Sequence, residues 1–172
     1  DDSMKKRVLL LLPLFLGACS NSGESPVIKI EKLYVKVESD GDSAREEDYA
    51  NKMDELPALK VGDEVKALLL LDGNGAELKT FTLQNDEEVK AKPKFLTESE
   101  ISTEGNLTDE SKGQYRFKDG VRQTKVEVEA TVIHVNEDGE VKLSFYLSSK
   151  AECEGAQEEI GLKTKVDDEK EE

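Results

Sequence analysis

From residue 27 onward, apolar side chains recur at every second position in short runs, and Gly, Asn, Asp and Pro cluster between the runs. A period of two marks strands with one face buried. The stretch VIKIEKLYVKV at 27–37 alternates through Ile28 and Ile30, then shifts phase to Leu33, Val35 and Val37, which predicts a strand with a bulge. The DGD at 40–42 ends it. Ser43 and Glu46 then have capping-box spacing, and Tyr49, Met53 and Leu56 fall at i, i+4 and i+7. These predict a short surface helix over roughly 44–55, stopped by Pro57. Runs at 65–71 and 76–83 flank Asp72-Gly73-Asn74-Gly75 and predict a β-hairpin. Its first strand is apolar on both faces from Leu68 to Leu71, so it belongs in the middle of a sheet. The run 89–95 contains Pro93, which suits an edge strand, and 97–112 is an unpatterned loop.

A second hairpin is predicted from 125–135, which enters Asn136-Glu137-Asp138-Gly139 and returns through 140–147. A three-residue loop would set Val128 and Ala130 opposite to Val141, Leu143, Phe145 and Leu147. A four-residue loop pairs Val135 with Glu140 and His134 with Val141. It gathers Val126, Val128, Ala130, Val132, Val141, Leu143, Phe145 and Leu147 on one face, and a one-residue slip would bury charges instead. Residues 160–166 supply a last strand and 167–172 an acidic tail.

Seven or eight short strands with one short helix imply a mainly β fold, an antiparallel two-sheet sandwich that is immunoglobulin-like in the loose sense. A closed barrel is the alternative. Residues 59–83 (LKVGDEVKALLLLDGNGAELKTFTL) resemble the paired-strand signature of bacterial immunoglobulin-like modules, without the Cys and Trp core of true immunoglobulins.

The N-terminal region follows a different pattern. Lys5, Lys6 and Arg7 precede the apolar segment 8–18, which as a helix would span about 16 Å, half a bilayer core. That length suits a secretory signal rather than a membrane span. Asp1, Asp2 and Ser3 stand ahead of Met4 and read as extra upstream residues. Leu16-Gly17-Ala18-Cys19 resembles the lipobox of bacterial lipoproteins. The resemblance implies cleavage after Ala18, a lipid thioether on Cys19 and acylation of the new amino group. More than one acyl chain is what makes such an anchor stable. Residues 19–26 then form the lipidated cysteine and a flexible linker, with a coil reach of about 15 Å for 20–26, and 27–166 form the sandwich domain.

An acidic composition behind such a signal resembles the small, uncharacterised lipoproteins of Bacteroidetes-type bacteria, in which acidic residues just after the cysteine go with surface export. Only Glu24 qualifies here, so the expectation is an outer-membrane lipoprotein on the periplasmic face.

Charge narrows the partners. Charged residues make up 37% of the chain and the formal net charge is −15. Loss of 1–18 removes Asp1 and Asp2 but also Lys5, Lys6 and Arg7, so the side-chain charge moves from −15 to −16. Such a body repels nucleic acid. Its contact with membrane is expected through the lipid anchor.

Little chemistry is assembled. With Cys19 lipidated, one cysteine remains, Cys153, so no intrachain disulfide is expected. Cys153 lies between Glu152 and Glu154, which disfavour a thiolate. His134, the single histidine, is expected half-buried at the turn end of the core face. One His and one Cys do not make a zinc site, and no cofactor motif is present. Asp40, Asp42, Asp72 and Asn74 cluster oxygens and are calcium candidates, yet none has the helix-loop-helix spacing, and ordinary turn chemistry accounts for them. Asp42-Ser43-Ala44 resembles the sequon at which Bacteroidetes-type bacteria O-glycosylate exported proteins, making Ser43 a candidate acceptor. The expectation is a binding or scaffold protein without enzymatic activity, whose partner is an envelope protein or a glycan. Glycan or calcium capture by the acidic loops is the alternative.

Overall fold

Eight strands form where alternation places apolar side chains on one face, and those faces meet across one core. The computed structural model describes residues 23–38 and 47–167. The strands are β1 (Val27–Lys36), β2 (Glu64–Asp72), β3 (Leu78–Asn85), β4 (Val89–Phe95), β5 (Gln114–Arg116), β6 (Gln123–Val132), β7 (Gly139–Ser149) and β8 (Ala156–Thr164). They make two four-stranded sheets, β1-β2-β6-β4 and β5-β3-β7-β8, antiparallel throughout. The fold is the expected mainly β two-sheet sandwich.

Burial explains the architecture. Leu33, Val35, Val65, Ala67, Leu69, Leu71, Val126, Val128, Ala130 and Val132 face inward from the first sheet. Phe81, Leu83, Val141, Leu143, Phe145, Leu147, Ile160 and Leu162 meet them from the second. At the β4/β5 side the gap is filled by rings: Phe81 stacks on Phe145 at 6.3 Å, and Phe95 meets Phe81 and Phe117 edge-on at 5.9 and 5.8 Å. Such offset and edge contacts add to the gain from area alone. The bulge foreseen in β1 lies between Ile30 and Lys32, β2 is internal, and β4 with its Pro93 is an edge strand.

Both predicted hairpins are corrected. β2 and β3 flank the 73–77 turn but lie in different sheets, as do β6 and β7 across 133–138. The turn's amides go elsewhere: Gly73 N–H donates to Arg122 C=O and Leu78 N–H to Val121 C=O. The residues grouped on one face in the expected second register are indeed all buried, but they face each other across the core instead of sharing a sheet. β5 falls just beyond the segment read as loop.

The short helix is corrected as well. Its first residues, with Ser43 and Glu46, lie outside the described residues. Over 47–55 the backbone makes only a 3-10 turn at Met53–Glu55. Here the chain serves β1 instead: Tyr49 N–H donates to Leu33 C=O, and Asp48 Oδ1 accepts from Leu33 N–H at 2.9 Å. Bonds to a strand edge replace the bonds a helix would make, while Tyr49 and Leu56 still turn inward. Asp63 does similar work under the first sheet. Its buried carboxylate accepts from Glu38 N–H and Lys60 N–H, both at 2.9 Å.

Urea unfolding followed by near-ultraviolet signal tests this ranking. Phe81→Ala should cost about 3–5 kcal/mol through the cavity left between the sheets. Asp63→Ala should cost about 1–3 kcal/mol by stranding its two amide partners. Lys92→Ala, on the exposed edge, should stay within about 0.5 kcal/mol of the parent.

Candidate functional site

Inward positions being committed to packing, the outward ones distinguish the two faces. On the first sheet the register aligns Tyr34, Lys66, Glu129 and Lys92 in one row and Lys32, Leu68, Glu127 and Lys94 in the next. Lys66 pairs with Glu129 at 3.3 Å and with Glu127 at 3.7 Å. Exposed pairs of this kind contribute little each, about 0–1 kcal/mol, but they cover the face with alternating charge.

The second sheet is different. Its central row runs Gln114, Thr82, Tyr146, Gln157, one residue from each of the four strands, and carries no charge. The row beside it holds Arg116, Thr80 and Ser148. Thr80, Thr82, Tyr146 and Ser148 are half-buried, and with Gly155, Ala156 and Gln157 they line a trough of about 360 Å³. Gln157 Nε2 donates to the Tyr146 hydroxyl at 3.5 Å, a long contact that leaves the phenol open to better partners.

A second concavity of about 470 Å³ opens where the sheets part between β4 and β5. Leu83, Ala91, Pro93 and Tyr115 form its walls, and Glu110, Ser111 and Lys112 its rim. Burial, joined by the nearby Glu110 carboxylate, holds the Tyr115 phenol above its ordinary value. The rim is fixed by the 109–113 turn. Asp109 accepts from Ser111 N–H, and Leu83 N–H donates to Gly113 C=O. Gly113 sits at φ 69°, and a Cβ there would lie 2.1 Å from the Leu83 carbonyl oxygen, so no other residue fits.

The chain enters the sandwich at one end of the strands. Glu24 N–H donates to Asn74 C=O, and Asn74 Nδ2 donates to Ser25 C=O at 3.0 Å and Glu24 Oε2 at 3.3 Å. Asp72 Oδ1 accepts from Asn74 N–H at 2.8 Å, with Asn74 left-handed at φ 55°. Two of the calcium candidates, Asp72 and Asn74, thus serve the turn and the docked linker. Asp40, Asp42, Ser43 and Cys19 lie outside the described residues. Among the described residues no group of three or more His, Cys, Asp or Glu is placed to hold a metal ion.

The loop 150–155 shares this end, where Lys150 Nζ meets Glu77 at 3.1 Å and Asp119 at 2.7 Å. Cys153 in that loop is disulfide-bonded, against the expectation of a lone thiol. The sequence holds one other cysteine, Cys19, beyond the described residues. The location agrees with a link to the N-terminal region, since a Cβ built on Gly23 would lie 3.5 Å from that of Ala151, two residues from Cys153. His134 is also corrected. β6 ends at Val132, and the Ile133 and His134 amides donate to Glu88 C=O, which leaves the imidazole exposed instead of half-buried. It sits at the opposite end of the sandwich from Cys153, about 30 Å away along β7, so the two cannot form a catalytic pair.

No curated protein matches this sequence. A family model described as a domain of unknown function (DUF5035) matches residues 19–164. Among solved structures the chain is similar to the Reelin-N domain of F-spondin, 14% identical over 93% of this chain and 99% of that one, with a TM-score of 0.40. It is also similar to the reeler domain of human F-spondin (14% identity, 80% and 91% coverage, TM-score 0.38). A family 123 glycoside hydrolase from Clostridium perfringens is similar at 11% identity over 81% of this chain and 27% of that one, TM-score 0.41.

The charged cluster at the linker end sets an acid limit. The Gly120 N–H, then Lys150, hold Glu77 below its ordinary value, and Lys150 does the same for Asp119. Asp119 and then Glu77 hold Lys150 above its own. Depressed carboxylates stabilise above their unfolded values and lose that contribution as pH falls through the folded ones. The raised Lys150 contributes below its unfolded value and loses this as pH rises through the folded one. The cluster should therefore hold steady near neutrality and loosen in acid below the ordinary values of 4.5 for Glu77 and 3.8 for Asp119. In an NMR titration the Gly120 amide shift should show that acid inflection, and Glu77→Gln should remove it.

Proposed function

The chain thus belongs to the DUF5035 family, and we propose that it is a lipid-anchored binding or scaffold protein of the bacterial envelope, without enzymatic activity. Its working surface is the uncharged row on the outer face of the second sheet, away from the Lys142–Glu159 pair further along the same strands. The observation that carries this reading is the contrast between the middle rows of the two sheets. In a chain with 37% charged residues, a full row across one sheet, Gln114, Thr82, Tyr146 and Gln157, is free of charge and borders a trough, while the other sheet is a Lys/Glu lattice. Such a face is cheaply desolvated compared with the charged one, which favours it as the side that meets a partner.

The anchor reading rests on the lipobox resemblance at 16–19 and is supported by a family match that begins at Cys19. The linker docks at one end of the strands, beside the 73–77 turn. Tethering at that end points the strands away from the lipid surface and leaves both sheet faces clear of it. The periplasmic side of the outer membrane is the address the sparse acidic content after Cys19 favours.

Two measurements on protein from its own host test the reading. Intact mass should show residues 1–18 gone and Cys19 carrying a diacylglyceryl thioether and an N-acyl chain. One sulfur cannot hold both a thioether and a disulfide, so the lipidated form requires Cys153 released from any bridge to Cys19, and protein from the host with an unacylated Cys19 bridged to Cys153 would overturn the anchor. Photo-crosslinking in intact envelopes should give a partner adduct from a probe at position 82 but none from a probe at position 92. Equal adducts from both faces would overturn the assignment of the working surface.

A further inference from the structure

We propose that the outer face of the second sheet binds an uncharged, hydroxyl-rich polysaccharide laid across its strands; this rests on the reading of that face as the working surface and names its ligand. The row Gln114, Thr82, Tyr146, Gln157 takes one side chain from each strand at successive pairing positions. With neighbouring strands about 4.8 Å apart, the row extends roughly 14 Å, the scale of a short oligosaccharide. Its groups suit a chain of hydroxyls. A carboxamide at each end both donates and accepts, a hydroxyl and a phenol lie between them, and Tyr146, half-buried in the trough, adds an aromatic ring among them.

Among the described residues, Thr80, Thr82, Gln114 and Ser148 spend no side-chain hydrogen bond on the protein itself, so their capacity is available. Gln157 holds Tyr146 only through its 3.5 Å contact, which orients the ring without saturating the hydroxyl. Half-burial of Thr82 and Tyr146 in the trough limits the freedom each loses when a ligand orders it.

Other ligand classes fit less well. An anionic polymer would meet a net charge of −15 with Arg116 as the single cation in these two rows. A protein partner is held by large apolar or aromatic anchors in desolvated pockets. The exposed large apolar residues Val27, Val61, Leu96, Leu107 and Ile133 all lie off this face, in β1 and in loops.

Calorimetric titration of the detergent-solubilised protein with defined hexasaccharides tests the proposal, using neutral glucose, mannose, xylose and N-acetylglucosamine oligomers and hexagalacturonate as the charged comparator. At least one neutral oligomer should bind and hexagalacturonate should not. Tyr146→Ala should weaken that binding by about tenfold or more, Tyr146→Phe by less, and Lys92→Gln on the opposite sheet not at all. Thr82→Arg, blocking the row from a second strand, should act like Tyr146→Ala, and unchanged urea midpoints for both exclude misfolding as the cause. Failure of every neutral oligomer to bind, or binding indifferent to both Tyr146→Ala and Thr82→Arg, overturns the ligand class. If the position 82 crosslink in native envelopes persists in that case, the working surface stands with a different partner; if it is also absent, both readings fall.

Discussion

Two sheets can stack only if every second side chain of each is surrendered to the space between them, and that condition organises this protein. Phe81, Phe117, Phe145, Leu33, Leu69, Leu143, Leu147, Ile160 and Leu162 are all essentially without solvent contact there. Each contributes about 1.5–3 kcal/mol by leaving water, less the entropy of being ordered. The rings of Phe81, Phe95, Phe117 and Phe145 close the side where edge strand β4 approaches β5. Each sheet covers the other, so the core needs no long helix.

Fixing the inward positions frees the outward ones. The strands of the first sheet use them for paired Lys and Glu, and the edge strand β4, with Lys90, Lys92 and Lys94, is a poor template for further pairing. The second sheet carries hydroxyls, amides and a phenol across its Gln114, Thr82, Tyr146 and Gln157 row, with a Lys142–Glu159 pair further along the strands. Both sheets are four-stranded and antiparallel, and it is in the outward chemistry of that row that a binding role has room to be written without disturbing the core.

The linker end joins fold and address. Residues 23–26 hang on the 73–77 turn, next to the Lys150, Glu77 and Asp119 cluster and the loop that holds Cys153. This is the end at which the proposed lipid anchor would join the fold. If Cys19 is the partner of Cys153, lipidation and the disulfide would compete for one sulfur, so the two would be alternative states.

How much of this the sequence alone determined can be read from particular segments. Alternation identified the buried set almost residue by residue, because a side chain next to a core reports its own burial whatever strand lies opposite. It located the β1 bulge, the internal β2 and the edge β4. It also held the neutral outward positions Thr80, Thr82, Tyr146 and Ser148 in plain view, though nothing local tells which strands will be neighbours. Tertiary structure alone decided that. Val126 to Val132 and Val141 to Leu147 satisfy one face in a hairpin or two faces across a core equally well, since burial is the same in both and backbone hydrogen bonds carry no residue identity. Tyr49, Met53 and Leu56 likewise keep helical spacing, but the open edge of β1 offered the 47–50 backbone other partners. The row Gln114, Thr82, Tyr146, Gln157 exists only once four strands far apart in the chain lie side by side, which is why the candidate site was invisible until the sheets were assembled.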